Sequence, residues 1–303
     1  MKTRSLVSFL ALAAAAALAL TGCSSGASGQ TAPGTLSVVA STNVYGDIAR
    51  TIAGDAVSVT SIMSNPAQDP HSFEASAQNQ LQISKADIVI ENGGGYDDFM
   101  DTMLKAAHND KVVVLDAVDI SGKKASGGDD LNEHVWYDFP TMQKVADALV
   151  ATLSKADASQ AATFQKNGQA FTAQLTALEN RTAQLKQKYA GEGAAITEPV
   201  PLYLLDAIGL TDKTPKAFSA AIEAGTDVSP AVLERTLDLF RNGDVKLLAY
   251  NEQTSGPETQ MVLAAAKKAG VATVPVTETL PSGTDYIGWM TANTDAVAKA
   301  LGE

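Results

Sequence analysis

The sequence holds one cysteine and three histidines, and beyond its amino-terminal stretch it has no apolar run long enough to cross a bilayer. A single thiol excludes an intrachain disulfide and any site built from several thiolates. Basic side chains are in deficit, with 22 Lys and Arg against 34 Asp and Glu and a formal net charge of −12. Such a surface argues against nucleic acid as a partner and against broad contact with anionic headgroups. No HExxH pattern occurs and no nucleophile stands beside a partnered base, so a metal-dependent hydrolase lacks its usual machinery. Neither aromatic stacking residues, which suit sugars, nor an Arg clamp, which suits carboxylates, falls at the expected strand ends. What is plentiful is apolar side chain, at 45% of the sequence, enough for a real core.

The amino terminus reads as an export signal over residues 1–22. Lys2 and Arg4 precede a short, Ala-rich apolar stretch ending at Leu20. Leu20-Thr21-Gly22-Cys23 is the pattern of a bacterial lipoprotein signal, a bulky residue and two small ones before the thiol that accepts the lipid. Residues 23–35 are rich in Ser, Gly and Pro and nearly uncharged, and read as a flexible tether. The expected location is outside the cytoplasm, anchored through lipid on Cys23. Two acyl chains on one residue hold stably where one is marginal.

Past residue 35, short apolar strands alternate with segments of helical periodicity. Strands are expected at 36–40, 57–63, 86–90 and 112–115, with helices between them and a loop over 121–133. A helix opens at Pro140. Phe164, Phe171, Leu178 and Leu185 then recur every seven residues, with Leu175 and Tyr189 extending the stripe. That spacing predicts a helix of about 30 residues, about 45 Å long. The alternation resumes with strands at 194–197, 245–250 and 271–276, the last holding Pro275 and therefore expected at a sheet edge. The pattern predicts an α/β fold of two lobes with parallel-sheet cores, residues 36–157 and 191–303, joined by one long rigid helix over 158–190 that lies across both.

Two histidines have unusual settings. His71 lies in Asp69-Pro70-His71-Ser72-Phe73-Glu74, and His134 in Asn132-Glu133-His134-Val135-Trp136-Tyr137-Asp138. Both fall near element ends, where open α/β sheets hold ligands, and both have carboxylates nearby able to orient an imidazole. In the second half, Glu198 and Glu278 each follow a strand. Two neutral imidazoles and two carboxylates balance a divalent ion. Asp206, Glu252 and Asp285 compete for the carboxylate roles. His108, at a helix end, is expected to interact with the helix dipole.

The segments VVASTNVYGDIARTIAGDAVSV, DPHSFEAS, ADIVIENGGGYDDFM, NEHVWYD, TEPVPLYLLDAIGL and NEQTSGPETQMVLAAAKKAG, in this order, resemble the metal-binding solute-binding lipoproteins of ABC importers for zinc and manganese. The resemblance spans nearly the whole chain beyond Leu36. It implies two lobes around one long helix, no catalysis, and metal held between the lobes by His71, His134, Glu198 and Glu278. It also implies partnership with a membrane permease and its ATPase, as a monomer without a catalytic cofactor. Two features depart from the family pattern: Glu278 stands where Asp is usual, and the loop before His134 carries no histidine. The ligand set suits Mn2+ or Zn2+ and also admits Fe2+. Capture of another small solute is the competing expectation.

Overall fold

The computed structural model describes residues 35–65, 73–125 and 131–303. Cys23, the signal segment, all but the last residue of the tether, and His71 lie outside the described residues. The first lobe is built from β1 (Leu36–Thr42), α1 (Asn43–Ala53), β2 (Val57–Met63), α2 (Ala77–Ser84), β3 (Ile88–Glu91), α3 (Asp98–Ala107) and β4 (Val113–Asp116). A short α4 (Ala117–Ser121), a 3-10 turn at Val135–Tyr137 and α5 (Phe139–Ala156) follow. Its four strands are all parallel, in the order β2-β1-β3-β4. Parallel strands covered on both faces demand apolar residues throughout. Accordingly Val38, Val39 and Ala40 of β1 and Ile88, Val89 and Ile90 of β3 are all buried.

After α6 (Ala161–Tyr189) the second lobe repeats the plan with β5 (Gly193–Ile196), α7 (Leu202–Ile208), β6 (Thr211–Asp212), α8 (Lys216–Glu223), α9 (Pro230–Asn242), β7 (Leu247–Asn251), α10 (Pro257–Ala269), β8 (Ala272–Val276) and α11 (Tyr286–Ala300). Its sheet is again parallel, in the order β6-β5-β7-β8. β8 is an edge strand, where Pro275 withholds no ladder hydrogen bond that a central strand would need.

The 29 residues of α6 span about 43 Å. Its buried stripe is Phe164, Gly168, Phe171, Leu175, Leu178, Thr182 and Leu185, a strict alternation of three- and four-residue steps. Gly168 and Thr182 complete the apolar spacing with small side chains. A Cβ on Gly168 would come within 2.4 Å of Val150 on α5, so glycine permits the close approach of the two helices. The helix packs on α1 and α5 of the first lobe and on α7 and α11 beside the second. Its stripe belongs to one apolar cluster that contains residues of both lobes, which makes it a strut inside the molecule.

Three elements lie in stretches where strand and helix patterning is faint. α4 has only five residues and depends on Asp116, whose side chain accepts from Asp119 N at 2.8 Å. The two-residue β6 and the eight-residue α8 fill the region between Gly209 and Gly225, and α8 is held by buried Phe218 and Ile222.

Candidate metal centre

In each sheet the chain leaves one central strand to one side and returns on the other, so a crevice opens at the carboxyl ends of β1 and β3 and of β5 and β7. Open α/β sheets hold ligands at such switch points. The two crevices face one another. Asn43, directly after β1, donates through Nδ2 to Leu280 O at 2.8 Å and accepts from Leu280 N at 2.9 Å. Tyr137 Oη donates to Thr277 O at 2.9 Å, and Tyr203 Oη donates to Asn132 O at 2.7 Å.

His134 occupies the loop between α4 and the 3-10 turn and is fully buried. Asn132 fixes it. The Asn132 Oδ1 accepts from His134 N at 3.1 Å and lies 2.7 Å from His134 Nδ1, while its Nδ2 donates to Pro199 O at 3.1 Å. These three contacts admit only one orientation of the amide. A carboxamide oxygen accepts only, so Nδ1 carries the ring hydrogen and the lone pair of the neutral imidazole is at Nε2. That nitrogen lies 3.4 Å from Glu223 Oε1. The two groups are close enough to share a proton or a cation. Glu133 adds a third group: one ligand atom each from Glu133, His134 and Glu223 all fall within 4.8 Å of one another. Among the described residues this is the one such group of three metal-ligating side chains.

Aromatic rings wall the imidazole. Trp136 and Tyr96 meet it edge-on, with centroids at 5.0 and 5.9 Å. Tyr96 is placed by the turn Asn92-Gly93-Gly94-Gly95, whose three glycines all have positive φ, a conformation that L side chains resist. Burial pushes the Tyr96 phenol well above its ordinary range, and the nearby charge of Glu278 adds to the shift. Tyr96 therefore remains a neutral donor, and it hydrogen-bonds Glu278.

Glu198 and Glu278 follow β5 and β8 and are each 4% exposed. Glu278 Oε1 accepts from Asn251 Nδ2 at 2.7 Å, and its backbone N–H donates to Gln253 Oε1 at 2.6 Å. Glu198 lies between Thr197, whose Oγ1 accepts from Asn251 N at 3.0 Å, and Pro199, whose carbonyl receives Asn132. A buried carboxylate must be protonated, paired or bound to a cation. Thus His134 meets Glu278 through Tyr96, and the backbone beside Glu198 through Asn132. The competing acids lie elsewhere. Asp285 caps α11, accepting from Gly288 N at 2.7 Å, and Glu252 and Asp206 are exposed. His108 is the left-handed residue that ends α3, with φ of 49°.

Sequence reasoning does not find Glu223. It ends a helix with no local motif around it, and only the fold carries it to His134. Glu133, read from sequence as a neighbour able to orient the ring, belongs to the cluster.

Residues 38–300 match the profile of the family described as zinc-uptake complex component A, periplasmic (ZnuA). The chain belongs to this family. The manganese ABC transporter substrate-binding lipoprotein scaA of Streptococcus gordonii is 26% identical over 314 aligned positions, covering 97% of this chain and 98% of that protein. The manganese-binding lipoprotein MntA of Bacillus subtilis (strain 168) is 32% identical over 167 residues, 54% of each chain. Among solved structures, the periplasmic zinc binding protein TroA from Treponema pallidum superposes with a TM-score of 0.74 at 19% identity, covering 89% of this chain and 100% of its own. A mutant, Mn-bound periplasmic metal binding protein from candidatus liberibacter asiaticus gives 0.72 at 16% identity, over 88% of this chain and 99% of that one. This ZnuA-family chain shares their two-lobed fold.

Proposed function

We propose that this protein is the extracytoplasmic binding component of an ABC importer, capturing a divalent transition metal between its lobes and delivering it to a permease driven by an ATPase. The observation that carries this reading is the pair formed by His134 Nε2 and Glu223 Oε1 at 3.4 Å, with the opposite ring nitrogen held by Asn132. Metal-ligating histidines usually have the opposite ring nitrogen held by a hydrogen bond, as Asn132 holds Nδ1 here. The proposed ligands are His71, His134, Glu198 and Glu278, with two groups from each lobe. The lobes themselves are taken as residues 36–157 and 191–303, with 158–190 joining them. Ligands contributed from both sides link metal capture to the approach of the lobes, and the cross-lobe bonds of Asn43, Asn132 and Tyr137 support a closed form.

The ion is Mn2+ or Zn2+. Membership in a zinc-uptake family and likeness to manganese-binding relatives support the pair, and the carboxylate-rich donor set suits the harder ion. The protein binds and releases its cargo without transforming it. Attachment to the membrane through lipid on Cys23 completes the proposal, supported by Leu20-Thr21-Gly22-Cys23 and by relatives described as lipoproteins.

Titration of the metal-free protein with Mn2+, Zn2+ and Mg2+, followed by calorimetry and thermal melting, tests the reading. A ligand at about 100 times its Kd stabilises the fold by about 2.7 kcal/mol. Mn2+ or Zn2+ is expected to raise the melting temperature and Mg2+ to leave it unchanged. Equal responses to all three ions would reduce the effect to screening of an acidic surface.

A further inference from the structure

We propose that Glu223 is itself a ligand to the captured ion and that it tilts selection toward Mn2+ and away from Zn2+. This rests on the metal-capture reading above and adds a residue outside the four-ligand set that the family resemblance implies.

Geometry carries the proposal. Glu223 Oε1 is 3.4 Å from His134 Nε2, the nitrogen that carries the lone pair when the ring is neutral. An ion about 2.1–2.2 Å from both atoms would subtend an angle of about 100–110° there, within the range of ordinary coordination. Glu223 and His134 therefore stand ready for one ion without moving together or apart. The carboxylate is held by a packed element. Phe218 and Ile222 of α8 are buried in the apolar cluster that also contains Val232 and Phe240 of α9 and Leu248 of β7. Glu223 ends that helix with only 16% of its side chain exposed.

The consequence follows from ligand count and hardness. His71, His134, Glu198 and Glu278 would already fill the four positions of tetrahedral zinc. Glu223 makes five groups, three of them carboxylates, and Glu133 adds a further negative charge within the same cluster. Carboxylate oxygen and higher coordination suit manganese, whereas zinc is satisfied by four and prefers imidazole more strongly. Glu223 thus contributes more to Mn2+ binding than to Zn2+ binding.

Competition titrations against a chromogenic chelator on the full protein test this, using Glu223→Gln, Glu223→Asp and the reference variant His134→Ala. Glu223→Gln keeps the shape and removes the charge. It is expected to weaken Mn2+ binding about 10- to 100-fold, on the scale of losses around metal ligands, and Zn2+ binding by less than about threefold. Glu223→Asp retracts the carboxylate by one methylene and is expected to shift the ratio of affinities the same way; it carries the test if the Gln variant fails to fold. A wild-type protein that binds both ions, with the ratio unchanged in both Glu223 variants, would overturn the proposal and leave metal capture standing. A wild-type protein that binds neither ion would overturn the metal-capture reading and this one with it.

Discussion

Replacing Asn132 by Ala removes the acceptor for His134 N (3.1 Å) and His134 Nδ1 (2.7 Å) and the donor to Pro199 O (3.1 Å). Each such bond contributes about 0.5–1.5 kcal/mol net, so the loss sums to about 3 kcal/mol before any relaxation. For a chain of this size that corresponds to a fall of about 5–10 °C in melting temperature. The metal effect is separate. Without Asn132 neither the ring orientation nor the tautomer of His134 is specified, and affinity is expected to fall about 10- to 100-fold. Asn132→Asp separates the two roles. It keeps an acceptor for His134 but loses the donor to Pro199, so it should retain ring placement while weakening the tie between lobes. Calorimetry of the metal-free variants, metal titration, and the 15N shifts of the His134 ring read the three quantities independently. An Asn132→Ala protein that is less stable yet binds metal with wild-type affinity would refute the placement of His134 by Asn132.

The pH dependence of stability should carry a signature of Glu91, whose carboxyl is pushed up to about 8, first by burial and then by the charges of Asp97 and Asp116. Below the unfolded value, near 4.3 for Glu, it is protonated in both states and the fold keeps its full stability. As pH rises from there toward 8, the unfolded chain releases the proton that the folded one retains, and stability falls by up to about 1.4 kcal/mol per pH unit. Glu91→Gln should flatten that fall in denaturant titrations run across the window. Phe171→Ala, which empties a buried site on α6 against Tyr286, should cost about 3–5 kcal/mol and weaken the packing between α6 and α11, as read by chemical denaturation. Cys23→Ala should move the protein from the membrane fraction to the released fraction. Unchanged retention in detergent partitioning would contradict the lipid anchor.

The fold was legible because its signals were long or repeated. The seven-residue recurrence from Phe164 to Leu185 marks a buried stripe that a 29-residue helix must hide, and apolar runs such as Ile88–Ile90 mark strands covered on both faces. Pro275 disclosed the edge because a central strand cannot spare its N–H. Short elements were not legible: α4 depends on one capping carboxylate, and β6 on two residues paired to β5. The setting of His134 was visible through its neighbours Asn132, Glu133 and Trp136. The approach of Glu223 was not, because it arises from how α8 packs against the second sheet and leaves no local pattern. Likewise, nothing in the sequence says that Asn132 spans both lobes; that is a property of facing crevices.

The most direct test of metal capture at His134 is a crystal structure of the protein soaked with Mn2+, with anomalous scattering used to locate the ion. The ion is expected about 2.0–2.3 Å from His134 Nε2, with oxygen from Glu198 and Glu278 and nitrogen from His71 in the same coordination sphere. An ion bound elsewhere, or lying more than about 3 Å from His134 Nε2, would contradict the assignment.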